Sequence, residues 1–522
     1  MGWRLTSTSL PGYTALAVGA ASLYAAVLTI ALFQANWVIS VPLVAGSLFP
    51  LVLYASRNPR LFFLVGMVFT APLGLAINLM PHPHMGGAHA LSINLMDFFL
   101  VPMLIFLARD LYLGYRREFH FSTVSAWWLG LTALGLVSMV INPYREMAGL
   151  EVIRMLKLWL LFLVIINECV RERQFQYVVG ALAANAALNI VVAFVQLFLG
   201  RTLGLQPLGE GSEISTLGAN LGVYAVPGEV FRVMGLAGHA NLFAAYLAML
   251  LPIFIGQIYA DYRLSVKLVL AAISLAGLVC LGLTLSRSGW ASFAVSGGLL
   301  MIALFGLPAL RKRFLALKVA MLGAATAMLI AGSGVIIQRL TQSDPGAFDF
   351  RIEWIGIAWK MVQAKPLLGL GLNAFIYNLP DYAPYSVPKL YDLFGEVFPV
   401  VHNVYMIVWS EQGTIGLLLF LAMHVNILWI AVKNLRYKDL SDRIYLISIG
   451  SACGVLAIMV DGMSSFFIKV QPHARVFWIV VGLLVAANYW NVRNAELRRR
   501  SAAAAGSEAP SGTSVEQVAG AG

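Results

Sequence analysis

The chain has 522 residues, 60% of them hydrophobic and only 11% charged, with a mean hydropathy of +0.81. A soluble domain carries about 25% charged residues, so a soluble enzyme, a disordered scaffold and a disulfide-stapled secreted domain are excluded. The net charge of +11 does not point to nucleic acid, because Lys and Arg fall mostly in short loops between apolar runs, where they orient membrane spans.

The first apolar run begins after Met1–Gly12 and is followed at once by a second, so it reads as a retained helix and not a cleaved signal peptide. Runs long enough to cross a hydrocarbon core of about 30 Å recur along the chain. They fall at 14–35, 37–55, 61–79, 92–108, 123–142, 151–167, 175–199, 240–258, 268–284, 289–306, 316–337, 403–432, 444–460 and 474–491. Basic loops alternate with loops poor in Lys and Arg. One set holds Arg57/Arg60, Arg109/Arg116/Arg117, Arg171/Arg173, Arg263/Lys267, Arg311/Lys312/Arg313/Lys318, Lys433/Arg436/Lys438/Arg443 and Arg493/Arg498/Arg499/Arg500. The other set holds the 80–91, 200–239 and 338–402 loops. The positive-inside rule then puts both termini in the cytoplasm and these last loops outside.

The expected fold is thus an all-α integral membrane protein, a polytopic helical bundle of about fourteen spans. Its expected divisions are N-terminal spans in 1–200, an outside loop at 201–239 and central spans in 240–337. A large outside loop at 338–402 carries an amphipathic helix, C-terminal spans occupy 403–491, and 492–522 form a disordered cytoplasmic tail.

Taken in chain order, the candidates for chemistry begin with Pro81-His-Pro-His84 and His89, whose Pro/Gly context reads as a loop and not a metal site. The three cysteines (Cys169, Cys280, Cys453) are scattered, with neither disulfide nor metal-ligand spacing. Asp97, Glu411 and Asp461 lie in or at the ends of spans, where ionisable groups are costly; function and helix–helix hydrogen bonding explain them equally.

Against the rule that basic residues stay inside, the outside face collects Arg232 and His239 in Phe231-Arg-Val-Met-Gly-Leu-Ala-Gly-His-Ala-Asn241. Arg287 lies there in Leu283-Thr-Leu-Ser-Arg-Ser-Gly-Trp290, Arg351 opens the amphipathic Phe350–Lys360 segment, and His402 precedes the next span. A guanidinium offers a planar fork of donors that suits phosphate oxygens, so several together suit a lipid-linked pyrophosphate. A histidine near its ordinary pKa of about 6.5 can take a proton from a hydroxyl. Together they suit group transfer, with arginine replacing a metal. Each residue also has a plain reading. Arg287 serves as a snorkelling charge, Arg351 as the polar side of an interfacial helix, His402 as a helix cap, and Arg232 and His239 as a solvated loop.

Arg351 with Trp354 and Trp359, Lys365-Pro-Leu-Leu-Gly-Leu-Gly-Leu-Asn-Ala-Phe375, His402-Asn-Val-Tyr405 and Glu411-Gln-Gly413-Thr-Ile-Gly416 together resemble the O-antigen ligase/polymerase superfamily. Gly235-Leu-Ala-Gly-His-Ala-Asn241 and Leu285-Ser-Arg-Ser-Gly289 resemble its other recurrent motifs, in the right order over residues 230–420. Where members usually show His-Pro-Asn, this chain has His239-Ala240-Asn241.

The resemblance implies a bacterial inner-membrane glycosyltransferase of the lipid-dependent, all-helical class, acting at the periplasmic face without metal, nucleotide or other cofactor. Its donor would be an undecaprenyl-pyrophosphate-linked glycan, and its acceptor a growing polysaccharide or lipid A core. Its partners would be the lipid bilayer and polysaccharide export or assembly proteins, with no nucleic acid. By motif, Arg287 and Arg351 would bind pyrophosphate and His402 would be the base or orient the acceptor, with Asn403 beside it. Arg232, His239 and Asn241 would line the site. The motifs leave polymerase and ligase open, with a slight lean to polymerase from the extended outside loops. The reading from a different class is a lipid-linked oligosaccharide flippase or other transporter, which would place its ionisable groups near mid-membrane at a repeat interface.

Overall fold

The computed structural model describes residues 58–82, 86–116, 118–212, 214–215, 220–221, 231–306, 347–383, 400–437 and 440–507, with isolated helical positions between 315 and 341. The expected spans 14–35 and 37–55, nearly all of 316–337, and the tail beyond Ser507 lie outside the described residues. Two compact units divide the chain. The first, Met1–Phe63, is described only from Asn58, at the opening of helix α1 (Pro59–Thr70). All that follows concerns the second, Leu64–Gly522.

Its elements are β1 (Ala76–Leu79), β2 (Leu91–Asn94), α2 (Leu95–Tyr112), α3 (Thr123–Ile141), α4 (Arg145–Glu168), α5 (Glu172–Leu199) and α6 (Ala240–Ile258). There follow α7 (Leu264–Leu283), α8 (Arg287–Gly306), α9 (Ala347–Ala364), α10 (Val404–Asn434), α11 (Asp442–Asp461) and α12 (Gln471–Ser507). Among the described residues, eight helices are long and apolar enough to cross a membrane: α3, α5, α6, α7, α8, α10, α11 and α12. Phe198 on α5 is 89% exposed and Val425 on α10 is 65% exposed; such side chains facing outward from long helices fit contact with hydrocarbon and not water. At the centre stands α6, buried along almost its whole length and packed on α7, α8 and α11.

Local chemistry sets the helix ends. Ser122 accepts from the Val124 amide to start α3, Ser441 from the Ile444 amide to start α11, and Gly200 closes α5 in the left-handed conformation. Asn94 and Asp97 cap α2 reciprocally.

Three expectations change. The run 61–79 is not one span. Its helix stops at Thr70 before Pro72 and Gly74, and Ala76–Leu79 pairs antiparallel with Leu91–Asn94 as β1 and β2, Ala76 opposite Asn94. Twelve helical residues cover only about 18 Å. The run 151–167 belongs to a longer helix, α4, which carries six ionisable side chains, Arg145, Glu146, Glu151, Arg154, Lys157 and Glu168. And α12 continues as helix through Ser507, beyond the expected span end at 491, its last turns being rich in alanine.

Several ionisable groups of α4 are paired in the interior. Arg154 grips Glu151 with Nε and Nη2 at 2.7 and 2.5 Å, and the Ala88 amide donates to the same carboxylate at 2.8 Å. Lys469, in the turn between α11 and α12, bridges Glu151 at 3.3 Å and Glu411 of α10 at 2.9 Å. Lys157 pairs with Asp97 at 2.5 Å. Two of the three costly acids thus have cations.

Candidate active site

The segment leading into α6 is held against α5. The amides of Met234 and Gly235 donate to Gln196 Oε1, and the Leu236 amide donates to Asn189 Oδ1 at 2.9 Å. Gly235 adopts φ +56°, and a Cβ there would lie 3.0 Å from the Asn189 carbonyl oxygen, so a side chain would meet backbone. This fixes Arg232, which is buried; its Nε donates to the Thr284 carbonyl at 2.7 Å and its Nη2 to Asn241 Oδ1 at 2.6 Å. His239 caps α6, its Nδ1 accepting from the Asn241 amide at 3.1 Å. An accepting Nδ1 carries no proton, so the neutral ring holds its proton on Nε2. Burial, and after it the proximity of Arg232, His402 and Arg351, hold the His239 pKa down at about 3. The same influence places those four residues within electrostatic reach of one another.

Thr284 also ends α7. The chain turns through Leu285, at the strained φ of +50°, and Ser286, to begin α8 at Arg287. Gly289 lets this corner touch α6, since a Cβ there would lie 2.3 Å from that of Ala244. Arg287 itself is exposed, at the rim of the cluster. Its neighbour Ser288 faces Asp461, the buried last residue of α11, which also has Ser465 beside it and Arg351 within electrostatic reach.

Helix α9 brings Arg351. Trp354 stacks on Phe375 with centroids 6.0 Å apart, and Trp359 meets Trp409 of α10 edge-on at 5.3 Å. Trp354, Ile357, Ala358 and Met361 form one core with Phe375, Val400, Val401, Ile407 and Phe466. Along α9, Trp354, Ala358 and Val362 face inward, while Ile352, Ile355 and Trp359 are exposed.

After α9 the motif Lys365–Phe375 folds onto a break in α10. Gly413 has φ +66° and ψ −169° inside that helix, and the freed carbonyls of Ser410 and Glu411 each accept a bond of 2.9 Å, from the amides of Leu370 and Gly371. In return the Thr414 amide donates to the Pro366 carbonyl at 2.8 Å. Two motifs far apart in the chain are thus one interlocked unit. Asn373 ties it to the first half of the bundle, donating to the carbonyls of Ala88 at 2.8 Å and Met147 at 3.2 Å.

His402 lies just before α10, its ring edge-on to Phe466 at 5.1 Å. Its Nδ1 is buried and has no hydrogen-bond partner among the described residues. Burial first, then Arg351, lower its pKa to about 4 against the opposing pull of the Val400 carbonyl. The ring is therefore neutral at pH 7 and free to accept a proton. Asn403 has other work: its Oδ1 accepts from the Met406 amide at 3.0 Å to cap α10, and its Nδ2 donates to the Met463 carbonyl at 3.0 Å.

Of the residues expected from sequence, the fold gathers Arg232, His239, Asn241, Arg351 and His402. It sets Arg287 at the rim and commits Asn403 to holding the backbone. Sequence reasoning did not bring Ser288 or Lys469 forward. For Lys469 the signal was present in Phe466-Phe-Ile-Lys469, a lysine in an apolar run between two spans.

Compared with known families, residues 269–421 match the O-antigen ligase model, from within α7 into α10. The matched stretch takes in Arg287, Arg351, His402 and Asn403, while Arg232, His239 and Asn241 precede it. The resemblance read from the motifs is thus shown over this stretch. No curated protein matches the chain.

Proposed function

We propose that the protein is a metal-independent glycosyltransferase of the bacterial inner membrane. It transfers a glycan from undecaprenyl pyrophosphate to a glycan acceptor at the periplasmic face. The observation that carries this reading is the convergence of Arg232, His239, Arg351 and His402 at one end of the bundle, with Asp461 beside them and an unpartnered acceptor atom on His402. The family match supports an activity of the ligase or polymerase type.

In the reaction, the acceptor hydroxyl gives its proton to His402 as its oxygen bonds to the anomeric carbon. The bond from that carbon to the pyrophosphate oxygen breaks, and the electron pair leaves with the pyrophosphate, whose charge the arginines stabilise. A ring that titrates at about 4 is a weak base, but a pyrophosphate seated on Arg351 cancels the charge that opposes protonation. Donor binding therefore strengthens the base. Arg287, at the rim, meets the pyrophosphate as it arrives. Polymerase is slightly preferred to ligase, with export or assembly proteins as partners.

Purified protein given undecaprenyl-pyrophosphate-linked repeat units alone should make a ladder of longer glycans if it is a polymerase. Transfer only when lipid A core is added marks a ligase. His402→Ala should abolish either product while the protein still inserts, and normal product from that variant sinks the proposal. Silence of the folded wild type in both assays favours the transporter.

A further inference from the structure

A second cationic site is built around α4, on residues that do not include His402. It is a small, half-open pocket between β2, α2, α4 and α12, with Arg154, Lys157 and Arg475 in its lining. Ser92, Asn94 and Gln471 add neutral polar groups to the wall. Two carboxylates face these three cations: Glu151 holds Arg154 and Asp97 holds Lys157. Lys469 and Glu411, behind Glu151, cancel each other. Among the described residues Arg475 hydrogen-bonds to neutral oxygens, the carbonyls of Ala71 at 3.0 Å and Leu73 at 3.3 Å and Asn94 Oδ1 at 2.7 Å, with the Asp97 carboxylate in electrostatic reach. Arg154 is 8% exposed, and its Nη1, the arm not used on Glu151, has no partner among the described residues. A buried guanidinium with an idle donor, where three lining cations are faced by two carboxylates set behind the wall, is costly unless an anion completes it.

The mouth tells which anion. Along β2 the side chains alternate, so Ser92 and Asn94 turn inward while Ile93 between them is 52% exposed. Ile153 belongs to the pocket wall and is 42% exposed, and Leu156 on the same helix is also exposed. The rim therefore presents apolar side chains to the hydrocarbon, with the cations behind them. A free ion gains nothing from such a rim, whereas a lipid places its chains there and its phosphate within.

We infer that this pocket seats the phosphate head of an anionic lipid, which enters sideways from the bilayer and is held by Arg154, Arg475 and Lys157. This inference rests on the membrane-embedded bundle and not on glycan transfer.

The test is native mass spectrometry of the full chain in detergent, titrated with phosphatidic acid. Wild type should retain one tightly held lipid. Arg154→Lys keeps a cation for Glu151 but removes the idle arm, and losing a charge-assisted hydrogen bond should weaken retention about tenfold. Ile153→Trp fills the mouth without touching an ion pair and should weaken it as much; an unchanged melting temperature in this variant keeps the test independent of folding. Equal retention by wild type and both variants overturns the site. Displacement of the lipid by an equal concentration of inorganic phosphate overturns the lipid assignment in favour of an ion. Because no glycan is transferred in the assay, its failure leaves the proposed reaction standing, and the reverse also holds.

Discussion

Lys469→Met is the perturbation from which the structure yields the largest consequence. The lysine side chain is 8% exposed, and the two carboxylates it bridges, Glu151 and Glu411, are each 1% exposed. Removing the cation leaves Glu151 with Arg154 and the Ala88 amide, but Glu411 loses its ion-pair partner, and its Oε1 already lacks a hydrogen-bond partner among the described residues. Breaking one partner from a buried pair costs about 3–5 kcal/mol, which shows as a clear fall in melting temperature. Replacing both partners by apolar groups is often neutral or favourable, so Lys469→Met combined with Glu411→Leu should recover most of the loss. The assay is thermal unfolding of detergent-solubilised protein, single and double variants side by side. Glycan transfer should fall with the single change as well, because Phe466, three residues before Lys469, packs against the His402 ring. A single variant that melts like wild type, or a double variant as unstable as the single, would refute the argument.

The remaining predictions concern the site. The His402 pKa lies below its ordinary value, at about 4, so between pH 6.5 and 4 the unfolded chain binds more protons than the folded one. Stability should therefore fall as pH drops through that window. Arg351→Gln removes a charge that opposes protonation, so NMR titration of the labelled His402 ring should show its pKa moving up; no movement would mean that Arg351 does not face the ring. Gly413→Ala must hold a conformation reserved for glycine, at about 1–3 kcal/mol, and push its Cβ to 2.2 Å from the Leu367 carbonyl. It should lower the melting temperature, while Gly130→Ala, where the nearest atom is 3.9 Å away, should not. Asp461→Asn removes a buried charge beside Arg351 and Ser288 and should cut product formation at least about tenfold without preventing insertion, as read by protein recovered from membranes.

Long apolar helices were legible because hydrocarbon demands about 20 apolar residues in a row, and α5, α7 and α11 lie close to where their runs predict. The run at 61–79 misled because average apolarity is blind to the punctuation of Pro72 and Gly74. Helix α4 needed its charges explained, and their partners lie far off in sequence, Lys469 being 318 residues from Glu151. No local pattern foretells such a pair. In the site, motif order singled out His402, Arg351, Arg232 and His239, because guanidinium and imidazole groups on the wrong side of a membrane are conspicuous. What each atom does was not legible. Asn403 and His402 are adjacent in the same motif, yet only the geometry shows one amide spent on a helix cap and the neighbouring ring with an open acceptor.

The break at Gly413 has a mechanical consequence. It divides α10 into a short rod, Val404–Gln412, and a long one that continues to Asn434. The short rod is clasped by the Pro366–Gly371 loop and by the end of α11, whose Gly462 and Ser465 carbonyls both accept from the Val404 amide, at 2.9 and 3.1 Å. A bilayer that thins or thickens acts on the long rod, which tilts to keep its apolar length covered. The same loop also holds the first turn of the long rod, through the Thr414 amide on the Pro366 carbonyl, so the break is clasped on both sides and His402 stays registered to α9 and α11 while the remainder of the long rod tilts. The protein can ride changes in its membrane while the geometry at the His402 end holds still.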